Sequence, residues 1–401
     1  MILITNNQQL SPHALTLGLI SVFLCGVGFT IIAPVTPFLV APYVQDPSQQ
    51  AFVISALTAV YAGCVFLAAP VLGAFSDQIG RRPILILCLF GGGLGYLLFG
   101  IGGALWVFFF SRVIEGITGG SISTLYAYFS DSTSPDQRTK YFGWMSAVAG
   151  AGTALGPIIG GGLAHFGYAV PMFVGALVSI VNGVYAWLCL PESLPTSLRK
   201  KASLKAINPF RQFRYVFTHP AIGRIVFMAF ILWIPAGGLQ AIFSQFTIDS
   251  FNWSPTLIGL MFSIIGIQDI LAQSFLMPWL LKQMREPAIL RWGIIGEVSG
   301  YCFICLSGFF AAPILFVLGL LLYGMGDAIF APAYNSALSK QVDHKEQGMV
   351  LGSSQGMQSL ARVVGPLLGG QLYVLFAPVA PAIMGVVFGV IALFFFRKSQ
   401  A

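Results

Sequence analysis

Apolar stretches of about 20 residues recur along the whole of this 401-residue sequence, each about long enough to cross a ~30 Å hydrocarbon core. They lie near residues 14–38, 52–73, 83–104, 106–129, 142–164, 169–190, 221–246, 255–281, 288–309, 313–338, 349–373 and 377–396. Charged residues make up 8% of the chain and hydrophobic ones 57%, where a soluble domain carries roughly 25% charge. A soluble protein of this size could not cover its surface with so few charges, whereas a lipid-facing exterior does not need them. The expected fold is an all-α membrane protein of twelve transmembrane helices in two six-helix bundles.

The net charge of +7 reads as orientation, because of where the basic residues fall. With residues 1–13 in the cytoplasm, Arg81, Arg82, Arg138, Lys140, Lys282, Arg285, Arg291, Lys340, Lys345, Arg397 and Lys398 all lie on the same side. So do Arg199, Lys200, Lys201, Lys205, Arg211, Arg214 and Arg224, while the outer loops hold Asp46 and Asp249 but no Lys or Arg. This asymmetry predicts that both termini are cytoplasmic, and it assigns the basic excess to anionic lipid rather than nucleic acid. Cysteines 25, 64, 88, 189, 302 and 305 all fall in apolar spans, where they read as small buried hydrophobes and not as a disulfide framework. No cleavable signal peptide is expected, since the start lacks a basic region and the first apolar stretch is long enough to span.

A repeat runs through the chain at an offset of 209 residues. Gly143 opens a run that ends Gly156-Pro157-Ile158-Ile159-Gly160-Gly161, and Gly352 opens one that ends Gly365-Pro366-Leu367-Leu368-Gly369-Gly370. The loops before them correspond (134–138 and 343–347), and Asp77 and Arg82 echo Glu286 and Arg291. An even number of spans separates the copies, so both have the same orientation, as in a six-plus-six membrane transporter built by parallel duplication. The expected organisation is one bundle at 1–190, a cytoplasmic linker with a surface helix at 191–220, and a second bundle at 221–401.

Between spans 2 and 3 stands Gly73-Ala-Phe-Ser-Asp77-Gln-Ile-Gly80-Arg81-Arg82-Pro83. Glycines permit a tight turn, a carboxylate suits a helix N-terminus, and arginines pair with acids at helix ends, Asp131 being the expected partner. This segment resembles the cytoplasmic motif of the major facilitator superfamily, except that Gln78 stands where the family usually has a base. The resemblance implies a latch that opens and closes with transport. Gly28…Pro34-Val-Thr-Pro37, Arg112-Val-Ile-Glu115-Gly116 and Gly150-Ala-Gly152-Thr-Ala-Leu-Gly156-Pro157-Ile-Ile-Gly160-Gly161 resemble elements of twelve-helix drug/proton antiporters, the last being similar to their antiporter motif. Small residues at that density let helices approach closely, and Gly-Pro makes a bendable point. The run from Leu105 to Gly161 looks most like tetracycline/proton antiporters.

Six charges fall inside spans: Arg112, Glu115, Asp269, Glu297, Asp327 and Arg362. A charge at bilayer depth costs ~3 kcal/mol or more, so each needs a reason, either pairing between helices or proton coupling. Arg112 and Glu115 are three residues apart and share a helix face. Asp269, Glu297 and Asp327 fall near mid-membrane by helical rise. A carboxyl group there can hold a proton or meet a cationic substrate, but not both. In the tetracycline exporters that this chain resembles, acids on spans 1 and 3 also contribute, and those positions here are Cys25 and Gly95. The resemblance therefore places the titrating set toward the second half of the chain.

Tyr126, Trp233, Gln240, Phe243, Gln268, Tyr323 and Tyr334 lie on spans that resemble pathway-lining helices or their neighbours, and large apolar walls with a few polar groups suit bulky amphipathic compounds. The expected activity is proton-coupled export of amphipathic drugs, tetracyclines among the candidates, with an endogenous metabolite or siderophore as the alternative substrate. The partners are a small molecule, protons and the bilayer, without nucleic acid, and the chain is expected to act as a monomer in a bacterial inner membrane. Neither a GxxxxGK[ST] loop nor a His/Cys metal cluster occurs in the sequence, so no cofactor, no metal and no enzymatic role are expected. His13, His165, His219 and His344 sit in loops or at span ends.

Overall fold

A computed structural model describes residues 12–133, 135–199, 220–342 and 347–400, with no strand among them. In lipid the backbone must satisfy its own hydrogen bonds, and the helix does so within one segment. The first part of the chain forms α1 (Pro12–Ile31), α2 (Thr36–Val40), α3 (Pro47–Ile79), α4 (Arg81–Ile101), α5 (Leu105–Ile117), α6 (Ser121–Asp131), α7 (Pro135–Leu163) and α8 (Val170–Cys189). The second forms α9 (Pro220–Phe251), α10 (Pro255–Leu271), α11 (Met277–Gln283), α12 (Glu286–Phe310), α13 (Pro313–Ser339), α14 (Gln347–Leu375) and α15 (Ala380–Gln400).

Among the described residues nine helical stretches are long and apolar enough to span a bilayer, and the pair Gly18–Ile31 and Thr36–Tyr43, bent by 54°, makes a tenth. Ala380–Phe396 is a shorter apolar helix, and α14, at 29 residues, carries Arg362. This set is consistent with twelve spans. Three of the expected continuous spans are interrupted, each at an identifiable residue. Span 1 breaks before Thr36, around Pro34, which has no N–H to donate. Span 4 breaks at Thr118–Gly120, where consecutive glycines weaken the helix. Span 8 passes through a π-helical turn at Ala272–Leu276, just ahead of Pro278, and Met277 N–H reaches back to Ala272 O. The surface helix expected within 191–220 bears mostly on residues 200–219, which lie outside the described set.

The described chain forms two compact units. One takes its residues from 1–39, 64–209 and 255–263, the other from 40–63, 210–254 and 264–401. In the first, α7 lies on α1 at Gly152, Gly156 and Gly160, spaced four apart on one helix face. A Cβ at Gly152 would overlap Phe23 O, one at Gly156 would stand 2.7 Å from Val27 O, and one at Gly160 would overlap Ile31 O. The second unit repeats this at the 209-residue offset, with α14 on α9. A Cβ at Gly365 would meet Gly238 N at 3.0 Å, and one at Gly369 would meet Gly238 Cα at 2.9 Å.

The same runs explain why the units do not follow chain order. Gly161 is open toward Pro255 and Thr256, 2.5 Å and 2.9 Å from its missing Cβ, and a Cβ on Gly259 would crowd Pro157. The start of α10 thereby belongs with α7, and Thr256 Oγ1 donates to Gly161 O at 3.0 Å. The repeated glycine, Gly370, receives the start of α3 at Ser55, 2.6 Å from its missing Cβ.

The first unit centres on Val22, Leu85, Leu125, Tyr128, Phe129 and Met145, and the second on Ile234, Ala361 and Met384 with an aromatic group about Phe316. Leu87, Leu177, Phe309, Ile314 and Phe394 are exposed instead, which is the exterior a bilayer stabilises. Backbone contact at Gly369 predicts that Gly369→Ala costs about 1–3 kcal/mol by overpacking. Its thermal midpoint in detergent should fall, while Gly162→Ala, where a Cβ meets nothing within 4 Å, should leave it unchanged.

Candidate functional site

The loop after α3 works as expected in part. Gly80 takes φ 115°, a region that disfavours side chains, and turns the chain into α4. Arg81 then bridges two acids: Nη1 lies 2.6 Å from Asp77 Oδ1 and Nε 2.8 Å from Asp131 Oδ2. Its Nη1 also donates to Ser76 Oγ at 3.1 Å. The carboxylate at the α4 N-terminus, however, is Glu192, just beyond α8. Its oxygens accept from the N–H groups of Arg81 (2.8 Å), Arg82 (3.2 Å) and Leu194 (3.0 Å), donors that a helix start otherwise leaves unsatisfied. Arg82 donates to the carbonyl of Trp187 on α8. Gly73 has open space around it.

The repeat preserves this tie in the second unit with its charges rearranged. Glu286 stands at the Asp77 position and Lys340 at that of Asp131, and Lys340 Nζ lies 2.6 Å from Glu286 Oε1, which also accepts from Ser336 at 2.7 Å. Leu290 replaces the bridging arginine and is buried. One acid-to-base pair thus does what three charges do in the first copy.

Inside the first unit, Arg112 and Glu115 pair as their spacing implies, Nη2 to Oε1 at 2.5 Å, with both side chains buried. The guanidinium carbon stands 4.5 Å from the centre of the Phe99 ring on α4, an attractive cation–π geometry. Ser111 donates to Gly95 O at 2.9 Å.

Inside the second unit, α12 and α13 touch along glycines. The missing Cβ of Gly296 faces Gly326 Cα at 2.9 Å, that of Gly300 faces Tyr323 N at 2.5 Å, and that of Gly326 faces Glu297 N at 2.5 Å. This seam puts Glu297, 2% exposed, within electrostatic reach of Asp327, and Asp327 within reach of Asp269 and Arg362. Glu297 forms no ion pair among the described residues, unlike Glu115. Tyr301, not foreseen from the sequence, packs against Tyr323 at a centroid distance of 5.2 Å beside the same acids. Asp269 Oδ1 accepts from Gln273 at 2.8 Å on the more exposed side of its helix.

The aromatic and amide candidates separate into core and wall. Phe243 is 2% exposed and packs on Phe316. Tyr334 is also buried, donating to or accepting from Ser354 at 2.7 Å, with its ring edge-on to Trp233. Tyr126 makes the corresponding bond to Ser146 at 2.9 Å in the first unit. Gln240 is exposed. Gln268 donates to Leu321 O at 2.7 Å and edges an open apolar groove of ≈ 710 Å³ in the second unit, with Leu271, Phe275, Trp279 and Met325.

The sequence profile described as Major Facilitator Superfamily matches residues 18–245 and 225–401. The chain is 32% identical over 365 residues to the "Tetracycline resistance protein, class C" of Escherichia coli, covering 90% of each. It is 28% identical over 375 residues to "Multidrug resistance protein 2" of Bacillus subtilis (strain 168), covering 92% of this chain and 90% of that one. Among solved structures, a mutant of the nucleoside transporter NupG superposes with a TM-score of 0.80 at 14% identity, over 97% of this chain and 100% of the other, a likeness of fold.

The Glu192 cap predicts that Glu192→Ala weakens the packing of the α3–α4 loop on α8 by about 1 kcal/mol, the usual scale for a lost helix cap. The check is a lower thermal midpoint in detergent than for Glu192→Gln, which keeps an acceptor oxygen.

Proposed function

Because the chain belongs to the Major Facilitator Superfamily, and is a multi-pass membrane transporter of small molecules, we propose that it exports amphipathic drugs, tetracyclines among them, in exchange for protons by alternating access. The observation that carries this reading is the Glu297–Asp327 pair at the glycine seam. A carboxyl group buried in lipid without a cation is held as the neutral acid, because an unpaired charge there costs several kcal/mol. Such an acid gives up its proton only when something cationic arrives or water reaches it. Arg362 and Asp269 beside Asp327 supply the charges against which that exchange is balanced. The names of the relatives, tetracycline and multidrug resistance, supply the substrate class.

In this reading Glu297 and Asp327 carry the proton, Arg112 and Glu115 form a second charged centre, and Gln268, Trp233 and Tyr323 contribute the wall that contacts the drug. The Arg81–Asp77–Asp131–Glu192 cluster is a cytoplasmic latch, and Gly152, Gly156, Pro157 and Gly160 hold α7 against α1 and leave it a bendable point. The chain acts as a monomer in a bacterial inner membrane with both termini cytoplasmic, and 1–190 and 221–401 are the duplicated bundles joined at 191–220. One proton moving inward down 100 mV releases ~2.3 kcal/mol, enough to sustain a substantial drug gradient.

Cells expressing the protein should accumulate less tetracycline than control cells, and a protonophore should abolish the difference. Efflux that survives collapse of both potential and pH gradient would sink proton coupling. Glu297→Gln and Asp327→Asn should each stop uphill transport while leaving membrane abundance and monodispersity unchanged. Wild-type drug accumulation in both variants would reassign these acids to structure.

A further inference from the structure

In the second unit α10 and α13 turn their acids one way and an open groove the other. Asp269 on α10 stands within electrostatic reach of Asp327 on α13. Ile267 and Leu271 are each two residues from Asp269, and Met325 is two from Asp327, so about 200° of helix rotation separates them. The groove of ≈ 710 Å³ that Ile267, Leu271, Phe275, Trp279 and Met325 line therefore lies behind the charged face. Its inner end is closed where Gln268 donates to Leu321 O at 2.7 Å, beside Gly324, whose missing Cβ would stand 3.4 Å from Gln268 Oε1. Beyond Gln268 every lining side chain is apolar. The wall passes through the π-helical turn at Ala272–Leu276, and Phe275 on it is 72% exposed.

The length of the groove and its outer end define what it can hold. From Ile267 to Trp279 the helix rises about 18 Å, close to half of a ~30 Å hydrocarbon core. Trp279 brings an indole, the ring that membrane proteins place at headgroup level. Lys282 follows one turn on along the same face, and Arg285 stands at the start of α12. Both cations are exposed, and neither has an ion-pair partner among the described residues. The adjacent acid, Glu286, is taken up by Lys340 and Ser336. At the 209-residue offset these positions are Pro70, Gly73 and Ser76, so the duplicated loop pattern does not require Trp279, Lys282 or Arg285. A cationic drug would be repelled at this end, and a second copy would set the same cations against each other. An amphiphile with an anionic head and a long apolar chain matches both ends.

We propose that this groove binds an anionic glycerophospholipid of the leaflet at the α11–α12 end. One acyl chain lies along Ile267, Leu271 and Phe275, and the phosphate rests on Lys282 and Arg285. In the orientation given above that leaflet is the cytoplasmic one. The inference depends neither on the exported compound nor on proton coupling. Near an anionic headgroup each cation is worth about five-fold in affinity, so the pair gives about a 30-fold preference over a zwitterionic lipid with the same chains.

The experiment uses Trp279 as its own reporter. The purified full chain in detergent is titrated with phosphatidylglycerol or phosphatidylcholine carrying bromines at mid-chain, which quench indole fluorescence on contact. Each protein is read with and without Trp279→Phe, and the difference reports this groove. Wild type is expected to show Trp279-dependent quenching at about 30-fold less phosphatidylglycerol than phosphatidylcholine. The double variant Lys282→Gln, Arg285→Gln is expected to respond to the two lipids alike. The double variant Leu271→Gln, Phe275→Gln is expected to lose the response to both. Phosphatidylglycerol should raise the thermal midpoint of wild type and not that of the Lys282→Gln, Arg285→Gln variant.

Equal quenching of wild type by the two lipids would overturn the proposal, a comparison that stands whether or not any variant folds. So would a preference kept after loss of both cations, or a response kept in the Leu271→Gln, Phe275→Gln variant. Release of the brominated lipid by tetracycline would make the groove a drug site. A dimer in light scattering that the Leu271→Gln, Phe275→Gln variant breaks would make its occupant a second copy, and either result refutes the lipid.

Discussion

Contact of backbone against backbone at glycines is the interaction on which the rest of this structure depends. Apolar side chains gain nothing by leaving lipid for a helix interface, so association in the bilayer comes from close van der Waals packing and hydrogen bonds. Gly152, Gly156 and Gly160 let α7 touch α1, and Gly365 and Gly369 let α14 touch α9. Gly296, Gly300 and Gly326 do the same for α12 and α13. The last glycine of each run, Gly161 or Gly370, admits the start of a helix from elsewhere in the chain, α10 or α3. Each compact unit thereby owns a segment that chain order alone would assign to the other.

That packing decides what the buried charges can do. At the α12–α13 seam the backbones are so close that Glu297 comes within electrostatic reach of Asp327, with Tyr301 and Tyr323 packed together beside them. At the α4–α5 contact the approach leaves room for one acid, and Arg112 is already on it. The two units hence carry acids in different electrostatic settings, one paired with an arginine of its own helix and the other set near a second acid. The loop ties show the same economy in a polar setting: Arg81 joins Asp77 to Asp131, and the repeat reaches the same end with Glu286 and Lys340.

Much of the site was legible in the sequence where the relevant geometry is local. The Arg112–Glu115 pair follows from i,i+3 spacing, and the Arg81–Asp131 bridge from placing both at span ends on one side of the membrane. Glu192 escaped notice because its partners are more than a hundred residues away, although an acid immediately after a span, beside a loop of arginines, was a usable signal. Phe243 and Tyr334 lie on helices that resemble pathway-lining ones, and their burial in this structure was not legible, since helix rotation is set by packing and a uniformly apolar helix does not announce its face. The breaks in spans 1 and 4 sit at Pro34 and Gly119–Gly120, and the π-helical turn in span 8 lies just ahead of Pro278, residues visible in the sequence whose effect hydropathy averages away.

By itself, the sequence determined that this chain spans a bilayer many times as helices, that it is built from a duplicated pattern, and which charges fall within its apolar stretches. Those properties depend on composition and on spacing along one segment, and lipid enforces them wherever the segment goes. Only the tertiary structure decided which glycine faces which backbone, and hence that Glu115 fills the space over Gly95 and that Glu297 comes within electrostatic reach of Asp327. Such contacts join residues from different helices, and their register is set by the closest approach of two surfaces, which no single segment contains.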